Sequence, residues 1–112
     1  MEINYKLHQI REIAGGDESF IPIIIEAFLE EVPEAVQLIL EGLRLGNHEQ
    51  VYQNAHKIKP TVQQFELSIY DALIILQDWG KFKQETNVMA VFKKLQLEVA
   101  AVVSEMKTDF NL

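Results

Sequence analysis

Ile21, Ile25, Phe28, Val32, Val36, Ile39 and Leu43 are spaced 4, 3, 4, 4, 3 and 4 residues apart. An α-helix turns once every 3.6 residues, so this rhythm puts all seven on one side of a single helix. At 1.5 Å per residue the apolar strip is about 33 Å long. Loops cannot cover a strip of that length, so the chain must supply partner helices of similar reach. The predicted second helix runs from Asp17, a favoured N-cap type followed by Glu18, to about Leu45, where Gly46 stops it. Pro33 falls inside it and removes a backbone donor. A kink or break is expected there, although the stripe keeps phase across it.

The rest of the chain reads as those partners. A short first helix is predicted from Tyr5 to Ala14, with Ile3, Leu7, Ile10 and Ala14 on one face and Gly15-Gly16 ending it. Ile23 and Ile24, partly off the main stripe, are expected to lie under it. The third helix starts at Asn47, with Gln50 three residues on in a capping-box arrangement, and buries Val51, Ala55, Ile58, Val62 and Phe65. The fourth spans about Leu67 to Trp79, with Trp79-Gly80 as its boundary, and is apolar almost all round. The fifth runs from Thr86 or Asn87 to about Lys107, where Val88, Phe92, Leu95, Val99, Val102 and Met106 repeat as 4, 3, 4, 3, 4. No strand alternation occurs. The expected fold is all-α: an antiparallel four-helix bundle with a short additional N-terminal helix at one end, one domain over residues 1–112.

Composition then narrows the function. Net charge is −7, which argues against nucleic acid or an anionic membrane as a partner. There are no cysteines, so disulfides and thiolate metal sites are out. No apolar run reaches the ~18 residues of a membrane span. The opening Met1-Glu2-Ile3-Asn4-Tyr5 lacks signal-peptide character, so a cytoplasmic monomer is expected. Glu26, Glu30, Glu34 and Glu41 form an acidic outer face on which nothing converges, as a solvated face would. No serine-hydrolase, zinc-protease or phosphate-loop motif is present, and no cofactor is implied.

One chemical feature stands out. His56 follows the core residue Ala55 by one position and is rotated about 100° from the seam. Tyr52, His56, Lys59 and Gln63 form a second stripe on that flank. An imidazole is a nucleophile near neutral pH, and a lysine one turn on can offset an anion attached to it. An isolated surface histidine is usually inert, and His48 lies about 12 Å away along the helix, too far to share a metal. The weight therefore falls on the surrounding string.

That string, Ala55-His56-Lys57-Ile58-Lys59-Pro60-Thr61-Val62-Gln63-Gln64-Phe65, resembles the signature of histidine-containing phosphotransfer domains, the carriers of multistep two-component phosphorelays. Phe28-Leu29-Glu30-Glu31-Val32-Pro33-Glu34 is similar to the family's second helix, and Leu45-Gly46-Asn47-His48 falls where the family turns into its histidine helix. The resemblance spans about Tyr5 to Met106. It implies that His56 accepts a phosphoryl group from a receiver-domain aspartate and passes it to another receiver. Lys59 would hold the phosphoryl group, and Gln63 would orient the imidazole or touch the phosphate. The chain would be a carrier, not an enzyme, with Mg²⁺ on the partner receiver. Partners would be response-regulator receivers or a hybrid histidine kinase. An apolar patch beside His56 would dock them, with Leu7, Ile10, Phe20, Ile24 and Tyr52 as candidates. The alternative is an interaction module of the same fold that docks a partner and carries nothing. Two positions depart from the family pattern. Pro60 stands four residues after the histidine, where glycine is common, and should open the helix locally. Glu66 stands about ten after it, where many members have glycine, and is expected at the start of the fourth helix.

Overall fold

A computed structural model describes residues 4–112, so Ile3 lies outside the described residues. Among the described residues there are helices and no strands. The α-helices are α1 (His8–Ile13), α2 (Ile21–Leu45), α3 (His48–Gln64), α4 (Tyr70–Lys81) and α5 (Met89–Asp109), with a 3-10 turn at Glu18–Phe20 before α2. None is long and apolar enough to cross a membrane.

The stripe that opens the sequence reading is the spine of the fold. Ile21, Ile25, Phe28, Val32, Val36 and Ile39 are buried, and Leu43 packs half-buried against the same core. Pro33 does not break α2, nor Pro60 α3. An interior proline costs about 3 kcal/mol. Each buried Val, Ile or Phe contributes about 1.5–3 kcal/mol, so a helix sealed by several of them outweighs it. In the second turn of the chain, Asp17 caps the 3-10 segment, not α2 itself. Its carboxylate accepts from the Ser19 hydroxyl and backbone N–H, which hold its pKa below the ordinary aspartate value.

Helix ends follow one rule and differ from expectation for one reason. After α3, Glu66 N–H donates to Gln63 O and Leu67 N–H to Val62 O. After α4, Lys83 N–H donates to Gly80 O and Gln84 N–H to Trp79 O. After α5 the same pair of bonds runs from Asn111 and Leu112 to Thr108 and Lys107. This is the Schellman closure, whose middle residue must be left-handed. Glu66, Lys83 and Asn111 take that position with φ of 54°, 50° and 57°. Glycine therefore does not mark these ends. The start of α4 moves from Leu67 to Tyr70, because Glu66 ends α3 before α4 can begin. Gly80, read as a boundary, lies inside α4. A Cβ there would sit 2.6 Å from His48 O and 2.7 Å from Tyr52 N, so its role is to let the two helices touch.

Two residues join α2 to α3, so α3 turns back along α2. Gln50 Nε2 donates to Leu38 O, and the Phe28 and Phe65 rings meet edge to face at 5.1 Å. α3 packs between α2 and α4, and α5 touches both α4 and α2. The molecule measures 45 × 23 × 19 Å. The first helix is shorter than expected because residues 5–7 dock as an irregular segment. Lys6 N–H donates to Phe65 O, and the buried Tyr5 donates its hydroxyl to Asp109 at 2.7 Å. Ile24 is half-buried, whereas Ile23 stays exposed and α1 does not cover it.

Candidate functional site

Asn47 caps α3 by accepting from Gln50 N–H at 3.1 Å, and the start of the helix is thereby fixed. Val51, Ala55, Ile58 and Val62 point into the core with almost no exposure. Their burial sets the rotation of α3 and turns the neighbouring stripe outward. His56 and Gln63 are exposed, and Tyr52 and Lys59 are half-buried. The four predicted site residues thus share one flank of one helix. Gly80 abuts Tyr52, so this flank faces the α4 side of α3, away from α2.

The three histidines have different surroundings. His8 is within 3.2 Å of Glu12 on the exposed side of α1. His48 stacks on Trp79 with ring centroids 4.2 Å apart. Its Nε2 lies 2.7 Å from Gln84 O, a carbonyl that can only accept, so this nitrogen carries the proton. Trp79 Nε1 in turn donates to Thr86 O. His48 therefore pins the α4–α5 connection. The His56 ring lies against Tyr52, with centroids 5.6 Å apart and planes inclined by 17°. No hydrogen bond or ion pair joins it to another described residue, which leaves its nitrogens to solvent or to a partner.

The predicted docking residues do not gather beside it. Leu7 and Ile10 are buried in the core and present no surface. They cover the end of the helical core where the N-terminal segment docks. Phe20 and Ile24, with Ile13 and Ala14, line a shallow apolar depression of about 230 Å³ at the start of α2. The pairing of Gln50 with Leu38 and Phe65 with Phe28 sets His56 level with about residue 35 of α2. Ile24 is then about 17 Å further along the axis. Of the expected contact residues, Tyr52 alone adjoins His56.

Glu66 also differs from its expected place. It is the left-handed residue after α3, exposed, and not the first turn of α4. Two further features went unpredicted. The stripe puts Tyr52 and His56 on one flank, and their four-residue spacing is the signal for the ring stacking itself. Gln77 is buried on α4 with an Oε1 that has no hydrogen-bond partner among the described residues, and no local pattern foretells it. No group of three or more His, Asp or Glu placed to hold a metal ion occurs among the described residues.

No protein-family model matches the chain, and neither the curated proteins nor the solved structures compared with it give a match.

Proposed function

We propose that the chain is a phosphoryl carrier of the histidine-containing phosphotransfer type, built as an antiparallel four-helix bundle. The observation that carries this reading is the setting of His56: an exposed imidazole on α3, with Lys59 on the same flank and no hydrogen bond from its ring nitrogens to another described residue. In the forward step a neutral imidazole nitrogen attacks the phosphorus of an aspartyl phosphate on a receiver domain. The N–P bond forms as the P–O bond breaks, and the electron pair leaves on the aspartate carboxylate. The ring keeps its other N–H and becomes a phosphoimidazolium. Attack by a second receiver's aspartate reverses these changes. Such transfer needs positioning and charge neutralisation more than covalent machinery. Lys59 supplies one positive charge, Gln63 a polar contact two turns from His56, and the receiver its Mg²⁺ and acidic pocket. The chain works in the cytoplasm as a monomer, between response-regulator receivers or beneath a hybrid histidine kinase.

The test is a transfer screen. The full chain is mixed with a panel of receiver domains charged with acetyl phosphate, and acid-labile phosphate is mapped by mass spectrometry. The expected result is label on His56, absent in His56→Gln. That variant should keep its unfolding midpoint, since an exposed substitution changes stability by about 0.5 kcal/mol or less. Label on His8 or His48 would move the site. Tight receiver binding without label would favour a docking module that carries nothing.

A further inference from the structure

We infer that Tyr52 is a positioning residue for His56: its ring holds the imidazole plane, so that the nitrogen edge faces an incoming phosphoryl donor. This rests on the carrier reading above. A side chain on an exposed helix flank samples its rotamers freely unless something holds it. At His56 the neighbouring ring does so, with planes 17° apart and centroids 5.6 Å apart. Tyr52 is itself held. It is half-buried, and its backbone N and Cβ lie against Gly80, where any larger residue would push α4 away. The chain of support runs from the α3–α4 contact, which seats the Tyr52 backbone and Cβ, through a half-buried aromatic ring to the imidazole.

The chemistry gives that constraint a use. The lone pair of an imidazole nitrogen lies in the ring plane, and attack at phosphorus is in line with the leaving oxygen. The offset Tyr52 ring shields part of one imidazole face and leaves the edges open, which favours a donor that approaches roughly parallel to the tyrosine ring. The contrast with His48 supports the assignment. There a similar stack, on Trp79, is accompanied by a hydrogen bond that consumes Nε2. At His56 the stack comes without that bond.

The experiment compares two donors on the full-length chain and on Tyr52→Phe, Tyr52→Leu and Tyr52→Ala. Phosphoramidate is small and can present its phosphorus to the imidazole nitrogen from any direction, with ammonia leaving. The receiver that transfers fastest in the screen above must approach in one orientation. Aromatic pairing of this kind is worth about a two- to tenfold change in rate. Tyr52→Phe should match the parent with both donors. Tyr52→Leu keeps a sizeable apolar side chain without a flat face. It should keep the unfolding midpoint and its phosphoramidate rate, yet lose two- to tenfold with the receiver, as should Tyr52→Ala. Proton NMR gives an independent signature: the His56 ring protons carry a ring-current shift that Phe preserves and Leu and Ala abolish. Equal receiver rates in all four chains would overturn the positioning role, as would a Tyr52→Phe as slow as Tyr52→Ala. A parent chain that shows the ring-current shift but accepts phosphate from neither donor would instead overturn the carrier reading, and the positioning role with it.

Discussion

At the level of single residues, Lys59 and Glu66 make opposite demands on the same helix. Lys59 lies three residues beyond His56 and is half-buried, so its ammonium can reach a phosphoryl group there. On the carrier reading a receiver's metal would carry most of the charge, and a part-exposed pair is worth little. Lys59→Ala is expected to slow transfer about two- to fivefold without abolishing it. Rapid-quench transfer from a charged receiver measures this, and an unchanged rate would show that the ammonium points elsewhere. Glu66 bears on stability instead. A left-handed φ costs an L-residue about 1–2 kcal/mol, and its carboxylate stands at the negative end of the α3 dipole. Glycine gives back part of the gain as chain entropy. Glu66→Gly should therefore raise stability by about 1 kcal/mol in urea unfolding. This reverses the sign implied by a place at the start of α4. Transfer should not change, since Glu66 lies beyond the C-terminus of α3, ten positions from His56 and more than two helical turns along its axis. A destabilised variant would contradict the strain assigned to this φ.

The helices as elements show what sequence periodicity can and cannot disclose. Gly80 makes the point. Its added Cβ would meet His48 O at 2.6 Å, inside any tolerable contact, and backbone cannot step aside. Gly80→Ala should cost about 2–3 kcal/mol, the scale of overpacking, and lower the thermal midpoint. A neutral result would mean that α4 can slide on α3. Nothing in the local string Gln77-Asp78-Trp79-Gly80-Lys81 separates a packing glycine from a helix stop, because the clash partner lies in another helix. The stripes were legible for the opposite reason: their period is local. Phe92, Leu95, Val99, Val102 and Met106 are all buried, as their spacing requires. Ends were harder to read where Glu66, Lys83 and Asn111 do what glycine does after α2. The outward turn of His56 followed from the same periodicity. Its neighbours across helices did not, and Leu7 and Ile10 lie in the core, on a segment that docks through Lys6–Phe65 and Tyr5–Asp109 bonds to distant parts of the chain, partners that local spacing does not disclose.

Over the whole molecule, the candidate site and the apolar depression of Phe20 and Ile24 are well separated. The register of α2 against α3 sets Ile24 about 17 Å along the axis from His56, and Phe20 further still. A receiver that contacted both would have to span that distance. Phe20→Ser is expected to leave the transfer rate within a factor of about two, because the substitution is exposed and remote. Surface plasmon resonance with a charged receiver gives a second check. Loss of binding in Phe20→Ser would mean that the partner covers the start of α2 as well as the α3–α4 flank.

The Tyr5–Asp109 bond joins groups 104 positions apart in the chain. During synthesis at about 5–20 residues per second, Tyr5 emerges roughly 5 to 20 seconds before its acceptor. Throughout that interval the Tyr5 hydroxyl has no Asp109 to bond, and the α5 side of the core has no cover. The α2–α3 hairpin, whose contacts are nearby in sequence, is complete long before. The clasp therefore closes only after that hairpin has formed, and the face that α5 covers waits for it over that span of seconds.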